Sequence, residues 1–560
     1  MFRVLLMAFR GGLRFSRQCL CGEYLLSAKW KNASAGMPNL SRLQRQAYSA
    51  FEERDLDRAA KLCAGILEYR PEDFDALHLL GVLNFQRHRL TEALHFLSQA
   101  LRVNSTSADA MSNLGLALHA TGRLEEAIAS YRNALQFAPD HPEILYNLAN
   151  TYLELGRIDD ALSNFDAVLA KNPGHVGALV NRGNTLLRFN RPVEAIASYD
   201  AALARMPAHP QILTNRGHAL RRLDRPVEAL AGFEAAIAAK PDFAEAHFEA
   251  AMTRLSLGDF EAGWKAYEWR WRTGAFAAQR RQFQVPLWLG ETPVAGKAIL
   301  LHAEQGFGDT IQFIRYAPLL AGRGARVMCE VQPELQPLLA QFQNVHGITV
   351  IAKGAPLPAF DLHCPLLSLP LAFGTQLATI SAAVPYLAAP AERLAEWRDR
   401  LSPGGPRIGF VWSGQPSHKN DANRSIPLKR LIGLFDNPLV HCFSLQSQMR
   451  DTDSEVLKSL PNLTHLGDSF RDFADTAAVI ALLDVVVSVD TAVAHLAGAM
   501  GKPVLILLPY AADFRWLRGR DDSPWYGQAK LFRQPEFGDW DSVIGRLQDE
   551  LGQLAGRETG

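Results

Sequence analysis

Through the first half of the chain, small, aromatic and proline positions recur with a period of 34 residues. Gly81, Gly115, Gly183 and Gly217 stand on one ladder, with Ala149 on the rung between them. Further along each unit the ladder reads Ala59, Ala93, Ala127, Ala161, Ala195 and Ala229. Pro71, Pro139, Pro173, Pro207 and Pro241 close the units, Ser105 replacing proline once, and Tyr131, Phe165, Tyr199 and Phe233 precede the closing position at a fixed distance. Such a period predicts two antiparallel helices per unit. The small residues let the helices approach, the aromatics fill the groove between units, and proline stops the second helix. Units open near residues 40, 74, 108, 142, 176, 210 and 244, about seven in all. In the last, FEAGWKAYEWRW stands where the second helix belongs. A terminal unit is expected to cap the stack or to dock on the next domain.

These ladders resemble the tetratricopeptide family, which implies an α-solenoid. A further ladder, Asn113, Asn147, Asn181 and Asn215, falls on the first helices of four successive units. First helices line the concave surface of such a solenoid. An amide donates and accepts, so a row of them is able to hold an extended acceptor peptide without reading its side chains. The competing expectation is that these amides bond only within the stack.

After residue 285 short apolar runs alternate with amphipathic stretches, the pattern of βαβ units and parallel sheet. Strands are predicted at 298–302, 325–331, 348–351 and 360–363, and in a second set at 407–412, 440–445, 484–489, 503–508 and 530–532. A proline-containing crossing, 384–390, divides the sets. The expected architecture is therefore a superhelix of repeats followed by two Rossmann-like α/β lobes facing a cleft. The expected boundaries are a basic leader over 1–39, repeats over 40–277, an N-terminal lobe over 278–388 and a C-terminal, donor-binding lobe over 389–560.

Ligands of open parallel sheets bind beyond the carboxyl ends of strands, so the loops there carry the chemistry. In HAEQGFGDTIQF (302–313), Gly306 and Gly308 permit a tight turn into a helix, and Asp309 stands at its cap. Ile311 occupies the third glycine position of the dinucleotide fingerprint, which excludes that motif. The polar loop 413–427 carries His418, Lys419 and Arg424, the last suited to phosphate oxygens, though surface loops are often polar without a ligand. In LLDVVVSVDTAVAHLAGAMGKPVLILL (482–508), Asp490 and Thr491 follow a buried strand and open an alanine-rich helix. His495 lies one turn beyond Thr491 on the same face, near the positive end of the helix, and its alternative is a core histidine.

Together these loops resemble the GT-B glycosyltransferases of the bacterial heptosyltransferase-like group, and the layout of repeats before lobes is similar to protein O-GlcNAc transferases. The late segment, with Asp490, Thr491, His495, Leu496 and Pro503, carries the resemblance more specifically than Gly308-Asp309. It implies a nucleotide-sugar donor as substrate, no resident cofactor and no metal. It also implies Asp309 as general base, Arg424 where the family has a phosphate-binding lysine, and the amides of Thr491 and Ala492 on the diphosphate. Gly306, Gly308, Asp490 and His495 complete the expected donor site, and the reaction would be a direct displacement at the anomeric carbon. The stretch 509–528, with Arg515, Trp516, Arg518, Trp525 and Tyr526, is expected to shape a pocket or to pack the lobes together.

Composition narrows the partners. Fifty-eight basic and 58 acidic side chains balance, so nucleic acid is not expected as a ligand. No apolar run is long enough to span a membrane. The six cysteines form no zinc-like pair of pairs, Cys19 and Cys21 being too closely spaced for one, and their scatter suits a reducing, cytoplasmic compartment. The first 36 residues set six basic residues against Glu23 alone, as in a leader; the competing expectation is an over-called start, with Met37 opening the chain. The leading expectation is an enzyme that glycosylates a protein or peptide recruited by the repeats. The alternatives are transfer to a polysaccharide or lipid-linked glycan, and a non-catalytic repeat scaffold. Oligomeric state is left open.

Overall fold

A computed structural model describes residues 39–557, apart from 382–383, 402–404, 419 and 438–439. The basic leader to residue 38, with Cys19, Cys21 and Met37, and Lys419 of the polar loop lie outside the described residues. The chain forms two compact units that divide between Pro207 and Ala208.

The first unit is a run of helix pairs from Leu40–Glu52 and Leu56–Tyr69 to Val176–Arg188 and Pro192–Leu203. Caps explain where helices start: Asn39, Asp55, Asp73 and Ser107 accept from the amide three residues on, and Pro142 and Pro192 occupy first turns. The glycine ladder has a packing reason. A Cβ on Gly183 would stand 2.6 Å from a ring carbon of Tyr199, and one on Gly115 would stand 2.5 Å from Tyr131. The aromatics therefore press on the first helix of their own unit, and the alanines at Ala127, Ala161 and Ala195 are fully buried beside them.

The second unit begins with Pro210–Arg222, Pro226–Ala239, Ala244–Ser256 and a short Phe260–Tyr267 that gives way to a 3₁₀ turn over Glu268–Arg272. Apolar docking accounts for the degenerate sequence of this last repeat. Trp264 lies edge-on to Phe313 at 6.0 Å and to Phe514 at 5.6 Å, and Phe260, Trp264 and Tyr267 join the core of the α/β region.

That α/β region holds two parallel sheets. The first comprises β1 (Ala298–His302), β2 (Arg326–Val331), β3 (Thr349–Ala352) and β4 (Leu362–Pro365), in the order β3-β2-β1-β4. The second comprises β5 (Arg407–Val411), β6 (His441–Ser444), β7 (Leu463–His465), β8 (Val485–Val489), β9 (Val504–Leu508) and β10 (Ala529–Arg533), in the order β10-β9-β8-β5-β6-β7. β8 is buried throughout and lies between β5 and β9, as its valine run requires. Most strand ends fall within one residue of expectation; β4, shifted by two, and β7, which was not expected, differ more. β4 starts at Leu362 because the Asp361 carboxylate is used to accept from the Ala298 amide at 2.8 Å, and β7 is a three-residue edge strand paired with β6. One apolar core includes Ile299 and Leu301 of β1, Val486 of β8 and Ile506 of β9. Among the described residues no helix is long and apolar enough to cross a membrane.

Candidate functional site

Two helices that begin at strand ends meet in the second unit: Phe307–Phe313 after β1, and Ala492–Ala499 after β8. They approach closely because Gly308 faces His495, whose Cδ2 lies 2.8 Å from where a Cβ would be. Real Cβ atoms do not tolerate that contact. Gly308→Ala is therefore expected to push the helices apart and to lower stability by about 1–3 kcal/mol, the range for overpacking. Chemical denaturation measures it, and an unchanged midpoint would contradict the close packing.

Thr491 is the N-cap of the second helix, in extended backbone, with its hydroxyl 2.9 Å from that of Ser488. The leading amides of a helix have no acceptor within it, and here they belong to Ala492 and Val493, both half-buried. His495 is buried and stacks on Trp516, with ring centroids 5.2 Å apart. Its Nδ1 is 2.9 Å from the Tyr526 hydroxyl, and its Nε2 is 3.9 Å from Asp490. Burial pushes the imidazole down to about 3, so the ring is neutral. Burial, with Asp513 adding to it, pushes Asp490 up to about 6.

Asp309 is the third residue of the first helix. One carboxylate oxygen accepts from the Gly306 amide at 2.9 Å, which is the helix-capping role expected of it, and the other pairs with Arg515. Burial raises Asp309, and Arg515 opposes that shift. Arg515 also donates from Nε to Gln312 Oε1 at 2.7 Å and from Nη1 to Asp513 at 2.7 Å. Burial would raise Asp513, but Arg515 outweighs it and the carboxyl ends below its ordinary range. The stretch 509–528 thus does more than pack: it places a cation on the expected base.

Arg424 ends a short turn, Asp421–Arg424, inside the polar loop after β5. Its guanidinium lies on the backbone at Gly414, where any Cβ would collide with Nη2, and it donates from Nη1 to the Asp490 carbonyl at 3.0 Å. The loop is braced from within, where Gly414 donates to Ser425 and Ser425 to Asp421, and from the end of β6, where Gln446 donates to the Ser413 carbonyl. The structure therefore brings Gly306, Gly308, Asp309, Arg424, Asp490, Thr491, Ala492 and His495 into one region, joined by the contacts above and by Arg515. Among the described residues no group of three or more His, Cys, Asp or Glu side chains is arranged to hold a metal ion.

The asparagine ladder is partly engaged inside the stack. In the first unit Asn113 Nδ2 is 2.8 Å from His78 Nε2, and Asn181 donates to Tyr146 at 2.9 Å and to Asn150 at 2.8 Å. Asn147 is half-buried on the intervening helix. Asn215, in the second unit, accepts from Gln211 at 2.8 Å. Sequence reasoning missed Arg270 and Glu304, whose fully and largely buried side chains pair at 3.1 Å. An arginine and a glutamate in strongly aromatic or apolar surroundings were the available signal.

Comparisons with known proteins find similarity to different families in the two halves of the chain. Tetratricopeptide-repeat models match residues 50–115, 115–156 and 146–210. The model for glycosyltransferase family 9 (heptosyltransferase) matches residues 471–525, which include Asp490, Thr491, His495 and Arg515 but not Asp309 or Arg424. Protein FlbA of Caulobacter vibrioides is 26% identical over 344 residues, covering 56% of this chain and 56% of FlbA, so the chain spans about half the length of that curated relative. Among solved structures, YrrB, described as a TPR protein with an unusual peptide-binding site, is 23% identical, covering 34% of this chain and 97% of its own, with a TM-score of 0.31. A tetratricopeptide repeat protein from Parabacteroides merdae is 19% identical, covering 41% of this chain and 91% of its own, with a TM-score of 0.34.

Proposed function

We propose that this chain, tetratricopeptide repeats followed by an α/β region with a glycosyltransferase family 9 segment, transfers a sugar from a nucleotide-diphosphate sugar to an acceptor hydroxyl on a protein or peptide recruited by the repeats. The observation that carries the reading is the packing of Gly308, next to Asp309, on Ala492 and His495 of the helix that Thr491 caps, with Arg515 on the Asp309 carboxylate and Arg424 on the Asp490 carbonyl. The acceptor oxygen attacks the anomeric carbon as its proton passes to Asp309, and the bond to the diphosphate breaks. Arg424 and the amides of Thr491 and Ala492 face the negative charge that builds on the leaving group, and the helix dipole adds to them. Asp490 and His495 hold the helix start in place behind those amides. Burial makes Asp309 a stronger base than a free aspartate, and Arg515 favours its ionised form, the one that accepts a proton.

A thermal-shift panel of nucleoside diphosphates and sugar nucleotides tests this. At roughly fifty-fold excess over its dissociation constant the true donor is expected to stabilise the second unit by about 2.3 kcal/mol. Mass spectrometry of peptides incubated with the stabilising donor then identifies the acceptor. Silence across the whole panel would sink the transferase reading, and a donor that modifies glycans but never peptides would sink the choice of acceptor.

A further inference from the structure

Beyond the residues that would touch substrate, the loop after β9 contains a device that links a repeat turn to Asp309. Its first anchor is Arg515, whose three donor positions meet Asp309, Gln312 and Asp513, and whose side chain is only 10% exposed. The second anchor is Arg518. Both of its terminal nitrogens donate to the Asp224 carbonyl at 3.1 Å, and Nη1 also pairs with the Asp224 carboxylate. Asp224 sits in the turn between helices Pro210–Arg222 and Pro226–Ala239, at φ 54°.

Leu517 lies between the anchors. It has φ 49° and ψ −161° and is 7% exposed. Leucine seldom adopts that conformation, which is strained and persists only where the surroundings impose it. Arg533 adds a third tie, donating from Nη2 to the Trp516 carbonyl. A strained residue fixed at both ends relaxes when either end is released, and the residues beside it then move.

We propose that Asp224 and Arg518 are positioning residues, which hold the segment 513–518 so that Arg515 keeps the Asp309 carboxylate aligned for proton transfer. This rests on the transferase reading and adds to it a role for a repeat turn in the rate of the reaction. Displacements of about 1 Å at a reacting group are enough to lower rates by about 100-fold.

The experiment uses the full chain, the donor found by thermal shift, and the variants Arg518→Ala, Asp224→Ala and Asp224→Asn. Arg518→Ala and Asp224→Ala are expected to lower kcat roughly 10- to 100-fold with donor KM changed by less than about twofold. The acid limb of their pH–rate profiles is expected to move to higher pH, because the cation that favours ionised Asp309 is no longer held against it. Asp224→Asn keeps the backbone carbonyl, an acceptor oxygen and a residue at ease with positive φ, and is expected to recover most of the loss. Hydrogen exchange over 513–518 is expected to quicken in the two alanine variants. Wild-type kcat and profile in Arg518→Ala would overturn the proposal, as would a loss confined to KM with the acid limb unmoved. A wild-type protein that responds to no sugar nucleotide overturns both readings, whereas a responsive one with unshifted profiles overturns only the positioning role.

Discussion

Replacing Asp309 with asparagine is expected to lower kcat/KM by about 10²- to 10⁴-fold, the usual contribution of a general base. Asparagine has nearly the same shape and retains an oxygen for the Gly306 amide, so the helix cap survives. Two things are lost: the charge facing Arg515 and the capacity to take a proton. Donor-induced thermal stabilisation is expected to persist, because the groups proposed to meet the diphosphate lie at Arg424 and the Thr491 helix start. The pH dependence provides a second check. Burial raises the Asp309 pKa and Arg515 restrains it, leaving it above that of a free aspartate, about 3.9. As pH falls through that raised value the carboxylate takes up its proton before any substrate is present, and wild-type activity falls with it. The residual activity of the variant is expected to lack this limb. Near-normal turnover in Asp309→Asn would remove the residue from the chemistry.

Much of the fold is legible because its signals are local. The glycine, alanine and aromatic ladders repeat the same contact in every unit, and Gly183 against Tyr199 shows why glycine recurs there. The valine run of β8 and the alanine-rich helix after it are equally plain, since a strand buried on both faces is apolar almost throughout, Ser488 being the exception in β8. β7 escaped because it is three residues long, with Thr464 exposed at its centre. The site was legible only residue by residue. Asp309 and His495 could be picked from their loops, but the pairing of Asp309 with Arg515 spans 206 positions, and the tie of Arg518 to Asp224 spans 294. Nothing local marks such pairs. The conformation of Leu517 was hidden for the same reason, as leucine is an unremarkable residue until its backbone is seen.

Arg270→Ala is expected to destabilise the second unit by about 3–5 kcal/mol, the range for breaking a buried ion pair by removing one partner. The 3₁₀ turn after the last repeat helix carries Arg270 into full burial, between the rings of Tyr267 at 4.8 Å and Trp271 at 4.4 Å. There it donates to Glu268 at 2.5 Å, to Ser368 at 2.7 Å and to Glu304 at 3.1 Å. Glu304 is left without a cation when Arg270 is removed, and the size of that penalty depends on pH. Burial already pushes Glu304 up to about 7 despite Arg270, so the folded state holds a proton that the unfolded chain releases in the ordinary carboxylate range. Stability from this group is therefore complete in acid and is lost as pH rises through about 7. Without the arginine the folded pKa moves higher still, and the deficit of the variant against wild type grows as pH rises above neutrality. Urea denaturation at acid and alkaline pH measures both effects. Pairing Arg270→Met with Glu304→Gln removes the deeply buried carboxyl together with its arginine and is expected to recover most of the alkaline loss, because Glu268, the arginine's other carboxylate partner, is still in reach of water. A deficit that is small and equal at both pH values would show that the contact does not anchor the last repeat to the loop between β1 and the helix that carries Asp309.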